Sequence, residues 1–430
     1  MNDAPRTTRA PRDPATPLHG ARIVVGVAGG IAAYKAAELV RLFDKAGAHV
    51  DVAMTARAQE FIGPMTFQAL TRRPVFTDLF NLTQEGAIGH IQLADRADLV
   101  VIAPATTNAL ARLAAGQADD PVSAVVLATR APVLVAPSMN VNMWNHPLTR
   151  ANIARLVDVA GYHVVGPGAG FLACRWTGLG RLAEPSDILE AAAHVLSPQD
   201  LLGVRVVVTA GPTYEAIDPV RFVGNRSSGK MGVAIAAAAQ RRGAQVTLVL
   251  GPSAVPPPLG VTTMNVENAT QLQWALGTAT TDADVVVMTA AVADYRPAKE
   301  AKEKIKRGEL GPRATIELVA NPDLLAELGK KRGPKRTPLL VGFAAETQHV
   351  IENAQAKLAT KKCDLVVAND ISEPGSGFAV DTNHVTLVDA SGAIEVPAGT
   401  KADVAHRILD HVVAMRTAAA SAPRPKARKR

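Results

Sequence analysis

The chain has 430 residues, 48% hydrophobic and 20% charged, which suits two globular cores and excludes a disordered or disulfide-framed protein, Cys174 and Cys363 being its only cysteines. The formal net charge of +7 does not mark a nucleic-acid reader, because Arg424, Lys426, Arg428, Lys429 and Arg430 crowd one terminus and Arg6, Arg9 and Arg12 the other. No apolar run precedes Gly20, and runs such as Val204 to Ala210 are too short for a bilayer, so a cytoplasmic chain without membrane or specific nucleic-acid partners is expected.

Residues 1–19, rich in Pro, Thr, Arg and Asp, read as a disordered lead-in, with order expected from Ala21. The β-branched run from Arg22 enters a glycine turn at Gly29 and Gly30. A helix is expected from Ile31 to Ala46 and a strand from His49 to Thr55, which makes a β-α-β opening. Further strands are expected at Ala97 to Ala103 and Val133 to Pro137, each ending in a loop where parallel sheets hold ligands. The pattern restarts at Val204, with a helix from Lys230 to Arg242 and strands at Ala244 to Leu250, Asp284 to Met288, Leu339 to Phe343, Asp364 to Ala368 and Val385 to Val388. The expected fold class is α/β: two Rossmann-like parallel-sheet domains at 20–198 and 199–417, then a basic disordered tail at 418–430.

In the first half the glycines at 26, 29 and 30 miss the Gly-x-Gly-x-x-Gly spacing. A mononucleotide phosphate turn fits better than a dinucleotide one, leaving flavin, other phosphorylated ligands and nicotinamide open. His90 follows Gly89 and suits an ordinary helix histidine as well as a site residue. Asn140 directly follows a strand, and Cys174 lies in a glycine-rich stretch that reads as a flap. Together with APATTNALARLAAGQADD at 103–120, these stretches make residues 21–190 resemble the homo-oligomeric flavin-containing cysteine decarboxylases.

That resemblance implies a flavodoxin-like domain with FMN against Gly29, Gly30, Thr55, Pro104, Ala105, Thr106 and Asn108. It implies His90 as base, Asn140 as the grip on the substrate carboxylate and Cys174 as proton donor. FMN would oxidise the substrate next to sulfur, because direct CO₂ loss would leave an unstabilised carbanion. Where the family commonly has Gly after the flap cysteine, this chain has Arg175 and then Trp176, which bears on flap closure.

In the second half, Asn225-Arg-Ser-Ser-Gly-Lys230 precedes a helix whose N-terminus suits phosphate, although the spacing is not a Walker A loop. Lys299 to Arg307 alone reads more often as a solvated face than as a site. GPTYEAIDPVRFVGNRSSGKMG at 211–232, AAVADYRP at 290–297, EKIKR at 303–307, NPDLL at 321–325, VGFAAET at 341–347 and CDLVVAND at 363–370 occur in order. They resemble the phosphopantothenate–cysteine ligase domain of the bifunctional bacterial coenzyme A biosynthesis family.

The resemblance implies CTP bound by Asp294, Lys304, Pro322, Asp323, Leu324, Leu325, Phe343, Lys357 and Lys361, with Arg307 where relatives often carry Lys. Lys304 would stabilise phosphoryl charge, and Asn225 would hydrogen-bond the acyl-nucleotide. Mg²⁺ (or Mn²⁺) would travel with the nucleotide, since no carboxylate cluster marks a protein metal site. The substrates implied are 4′-phosphopantothenate, L-cysteine and CTP, in an assembly of decarboxylase trimers and ligase dimers that can reach a dodecamer. Two alternatives stand beside this reading: an active ligase with an impaired, scaffold-like flavin domain, and a flavin-binding interaction protein.

Overall fold

Strands that are continuous Val, Ile and Leu runs need cover on both faces, which selects parallel sheets flanked by helices. The computed structural model describes residues 12–80, 89–171, 177–306, 315–333, 336–370, 372–373, 377 and 380–421. Cys174, Arg175, Trp176, Arg307 and the basic residues after 421 lie outside that set. The chain divides into two compact units between Pro198 and Gln199.

In the first unit, β1 (Arg22–Val27), β2 (His49–Met54), β3 (Val75–Phe76), β4 (Leu99–Ala105), β5 (Val133–Pro137) and β6 (His163–Val164) form one parallel sheet in the order β3-β2-β1-β4-β5-β6. Alternation along β1 splits the core. Ile23, Val25 and Val27 meet Leu39, Phe43 and Ile188 of the helices Ala33–Lys45 and Pro185–Leu196. Val24 faces the other way, in a cluster with Leu110, Val122 and Val125 of the helices Thr107–Ala115 and Pro121–Ala128. The glycine-rich stretch expected as a flap contains an antiparallel pair, β7 (Gly168–Phe171) with β8 (Thr177–Arg181).

The second unit repeats the plan. β9 (Arg205–Ala210), β12 (Gln245–Leu250), β13 (Thr262–Asn265), β14 (Val285–Met288), β17 (Leu339–Glu346) and β18 (Leu365–Asp370) run parallel in the order β13-β12-β9-β14-β17-β18. Antiparallel β19 (Thr382–Asp389) and β20 (Gly392–Thr400) extend that sheet. Two small pairs stand apart from it: β10 (Tyr214–Ala216) with β11 (Phe222–Gly224), and β15 (Tyr295–Pro297) with β16 (Leu318–Ala320). The helices Lys230–Arg241 and Lys401–Ser421 cover one face of the sheet. The helices Ala269–Ala279, Leu324–Lys331 and Val350–Lys361 cover the other.

Two stretches depart from the sequence expectation. Residues 12–19 are turns packed on the first unit: Arg12 pairs with Asp98 at 2.5 Å and Leu18 is buried. At the other end the last helix runs to Ser421, so residues 418–421 are helical rather than tail. The abundant Ala there favours helix over coil.

Arg242, 1% exposed, ties the start of the second unit to its last helix. Its guanidinium donates to Asp200 at 2.8 Å, to Asp410 at 2.7 Å and to the His406 carbonyl at 3.2 Å. Arg242→Met strands two carboxylates beside a buried apolar chain. It is expected to destabilise the second unit by about 3 kcal/mol, read as a lower calorimetric transition.

Candidate active sites

In a doubly wound sheet the loops after neighbouring strands part where the winding reverses, here between β1 and β4 and between β9 and β14. The first site begins after β1. A Cβ on Gly29 would sit 2.4 Å from the Arg57 Cβ, so only glycine lets that turn close against the segment after β2. Thr55 caps that segment by accepting the Ala58 N–H at 3.2 Å, and its own N–H donates to Val27 at 3.1 Å. The Pro104 carbonyl accepts from the Ala28 N–H at 3.3 Å, and Thr106 caps the helix that begins at Thr107 and carries Asn108.

Gly29, Gly30, Thr55, Pro104 and Thr106 therefore surround one crevice. Ala105 contributes backbone alone: its side chain is buried and its carbonyl accepts from the Ser138 N–H at 3.0 Å. The helix Ala33–Lys45 opens at this crevice with neither a capping side chain nor an acid in its first turn. Its positive end therefore suits an anionic group such as a flavin phosphate.

Asn140 ends the β5 loop and caps the short helix Val141–Asn145, its Oδ1 accepting from the Asn142 N–H at 2.8 Å. The β7–β8 pair lies against it, since the Gly180 carbonyl accepts from the Met139 N–H at 2.9 Å. His90 begins the helix His90–Arg96 on another element and is half-buried.

The second site is a cavity of about 770 Å³. Of the residues expected from the sequence, Asn225, Asp294, Pro322, Asp323, Leu324, Leu325, Phe343, Lys357 and Lys361 all line it. From one face of the sheet it receives the N-terminus of the helix Lys230–Arg241, preceded by Ser227, Ser228 and Gly229. Gly232 lets that helix sit on the sheet, because a Cβ there would lie 2.3 Å from the Thr289 Oγ1.

From the other face, Lys361 pairs with Asp323, which also accepts from the Ala326 N–H at 2.9 Å. Burial raises the Asp323 carboxyl, but hydrogen bonds from Lys361 and Ala326 outweigh it and hold the group below its ordinary value. Lys357 donates to the Phe343 carbonyl at 2.7 Å, and burial pushes its ammonium below the usual lysine value. Asn225 donates to the carbonyls of Ala291 at 3.2 Å and Val292 at 3.0 Å, which leaves its Oδ1 as the group to offer a ligand.

Lys304 is not part of that lining. Its segment is held elsewhere. The Asp218 carboxylate accepts the Ile305 N–H at 3.1 Å, while Arg221 pairs with Asp218 and donates to the Ile305 carbonyl at 2.9 Å. The Arg221 hydrogen bond is the chief reason the Asp218 carboxyl lies far below the usual carboxylate range. Sequence reasoning also missed Asn321, Asn369, Asn383 and Lys401, all of which line the cavity. The Asn321 signal was legible, standing first in NPDLL; its amide donates to the Ala293 carbonyl at 2.8 Å. Among the described residues no group of three His, Cys, Asp or Glu side chains is arranged to hold a metal ion. None of the described helices is long and apolar enough to cross a membrane.

Residues 11–197 match the family model described as Flavoprotein, and residues 201–415 match the DNA/pantothenate metabolism flavoprotein C-terminal domain. The chain is 44% identical over 395 residues to a coenzyme A biosynthesis bifunctional protein of Vibrio vulnificus (strain CMCP6), covering 92% of this chain and 98% of the relative. Relatives of the same name show 44% identity in Bacillus subtilis (strain 168), with 93% and 98% covered, and in Escherichia coli (strain K12), with 92% and 97% covered. A crystal structure of the C-terminal domain of a coenzyme A biosynthesis bifunctional protein is 43% identical over 51% of this chain and 99% of its own, with a TM-score of 0.44.

Asp218→Ala is expected to release residues 301–306 while the sheet stays intact. Trypsin should then cut after Lys302, Lys304 or Lys306 at least about 10-fold faster than in the unaltered chain, with unchanged circular dichroism.

Proposed function

The chain belongs to the family of coenzyme A biosynthesis bifunctional proteins, and we propose that it turns 4′-phosphopantothenate and L-cysteine into 4′-phosphopantetheine with CTP and FMN. It is a bifunctional enzyme with a flavoprotein decarboxylase domain and a ligase domain. One observation carries the detailed reading: a single cavity in the ligase unit is lined by a helix N-terminus from one face of the sheet and by Lys357 and Lys361 from a helix on the other. Two phosphorylated substrates can lie in it with their reacting groups facing.

In that cavity the carboxylate of 4′-phosphopantothenate attacks the α-phosphorus of CTP, forming an acyl-cytidylate and releasing pyrophosphate. The cysteine amine then attacks the acyl carbon and expels CMP. Lys357 and Lys361 neutralise the triphosphate, and Mg²⁺ or Mn²⁺ enters with the nucleotide. With its amide hydrogens committed to Ala291 and Val292, Asn225 has its Oδ1 left, and that acceptor serves an N–H of the attacking amine rather than the acyl-nucleotide expected from the sequence. Lys304 acts from a segment that Asp218 and Arg221 hold in place.

In the flavoprotein unit, Gly29, Gly30, Thr55, Pro104, Thr106 and Asn108 hold FMN, with Ala105 contributing backbone. When bound, FMN would supply a two-electron acceptor for the substrate's carbon–sulfur bond. Asn140 orients the substrate carboxylate that leaves as CO₂, His90 takes the proton lost from the substrate thiol as it is oxidised, and Cys174 returns a proton in the reductive half. The scaffold-like alternative is not favoured, since family models match both units and relatives match both in one chain. The assembly proposed is a homo-oligomer of decarboxylase trimers and ligase dimers in the cytoplasm.

His90→Asn should abolish CO₂ release while pyrophosphate release from CTP continues; loss of both in a folded variant contradicts this division of labour. Asn225→Ala should slow the cysteine-dependent step about 100-fold, with pyrophosphate still released in a first turnover, as quench-flow would show. Burial lowers the Lys357 ammonium, so its charge is lost as pH rises, earlier than for an ordinary lysine. CTP affinity should therefore weaken along an alkaline limb that Lys357→Met removes, measured as KM for CTP against pH.

A further inference from the structure

Asn225 is exposed to the cavity, so burial among apolar neighbours does not fix its side chain. Two backbone carbonyls aim it instead: those of Ala291 and Val292 accept from its amide at 3.2 and 3.0 Å. The direction of its Oδ1 therefore depends on how the segment after β14 is held. That segment is irregular, so its N–H groups need partners from other elements.

The partners come from β9 and the turn that follows it. Ala290 donates its N–H to the Thr209 Oγ1 at 3.0 Å, Ala291 to the Gly211 carbonyl at 2.9 Å, and Ala293 to the Thr213 Oγ1 at 3.0 Å. In return the Thr213 N–H donates to the Ala291 carbonyl at 3.3 Å. Thr213 thus brackets residues 291–293, its main chain on one carbonyl that Asn225 uses and its side chain just beyond the other. Gly211 permits the approach, since the turn takes φ +84° there. The bracket is 1% exposed and does not line the cavity, so Thr213 touches no substrate.

The far end of the segment is gripped separately. Asn321 donates its N–H to the Asp294 carbonyl and its side-chain amide to the Ala293 carbonyl, both at 2.8 Å. Removing the Thr213 oxygen leaves that grip in place and loosens the end that Asn225 reads.

Resting on the ligase reading above, we propose that Thr213 is a positioning residue for the amine-attack step: its buried hydroxyl fixes residues 291–293, whose carbonyls aim Asn225 at the cysteine amine. A residue that served only the stability of the unit would slow both half-reactions, and would do so whether or not Asn225 were present.

Quench-flow on the full-length chain separates first-turnover pyrophosphate release, with 4′-phosphopantothenate and CTP, from amide formation once cysteine is added. Thr213→Val keeps the branched shape and removes the acceptor. It should slow the cysteine-dependent step about 10-fold and leave first-turnover pyrophosphate release within about 2-fold. Thr213→Ser restores the oxygen and should bring that step back to within about 3-fold of the unaltered chain. In a chain already carrying Asn225→Ala, Thr213→Val should have no further effect, because the residue it acts through is gone. Should Thr213→Val lose its native circular dichroism, Thr213→Ala removes the same oxygen and is read in the same way. Equal slowing of both steps, no recovery with Thr213→Ser, or effects that multiply with Asn225→Ala would overturn the proposal. A wild-type chain that releases no pyrophosphate from CTP, or an unchanged cysteine-dependent step in Asn225→Ala, would instead overturn the ligase reading beneath it.

Discussion

The parallel pairing of β4 with β1 and of β14 with β9 is the constraint from which both sites follow. Each pairing is set at its far end by an aspartate. The Asp98 carboxylate accepts the Arg22 N–H at 2.8 Å, and that of Asp284 accepts the Arg205 N–H at 2.9 Å. The return bonds, from the Asp98 and Asp284 N–H groups to the Arg22 and Arg205 carbonyls, close the register. With register fixed at one edge, the opposite edge delivers the loops after the paired strands side by side. Asp364 does the same for β17 through the Leu340 N–H at 2.8 Å. The common strand order of the two units makes one backbone solution serve two chemistries, and the loops decide which.

In the ligase unit those loops build a cavity with cationic groups from both faces of the sheet, but of different kinds. One face contributes backbone N–H groups with Lys230 and Lys401; the other contributes Lys357 and Lys361, partly offset by Asp323. Much of the polar apparatus around this cavity is spent on its own construction. Asn225, Asn321 and Asp218 each satisfy backbone groups from segments tens of residues away. Such commitments hold the site in shape before substrate arrives and limit each residue to the donor or acceptor it has left.

The core strands were legible because their β-branched runs alternate with helix-length segments, and β5 matches its expected range of Val133 to Pro137. The cavity lining was legible where family motifs end strands, as at Asp294, Phe343 and Asn225. Less legible were contacts that depend on distant partners. Lys401 reads as an ordinary helix start, and only the fold shows its ammonium among carbonyls. Residues 12–19 look unstructured by composition, yet Leu18 finds a core and Arg12 finds Asp98. Lys304, expected with the nucleotide residues, lies on a segment outside the cavity lining that owes its place to buried Asp218.

A fusion of the two units has a chemical logic, since the amide made by the ligase is what the decarboxylase consumes. The central claim is that one chain carries both steps. The most direct measurement is mass spectrometry of products from the purified, FMN-loaded chain given 4′-phosphopantothenate, L-cysteine, CTP and Mg²⁺. The account predicts 4′-phosphopantetheine, CMP, pyrophosphate and CO₂ in equal amounts. Untouched CTP, or phosphopantothenoylcysteine accumulating without CO₂, would contradict it.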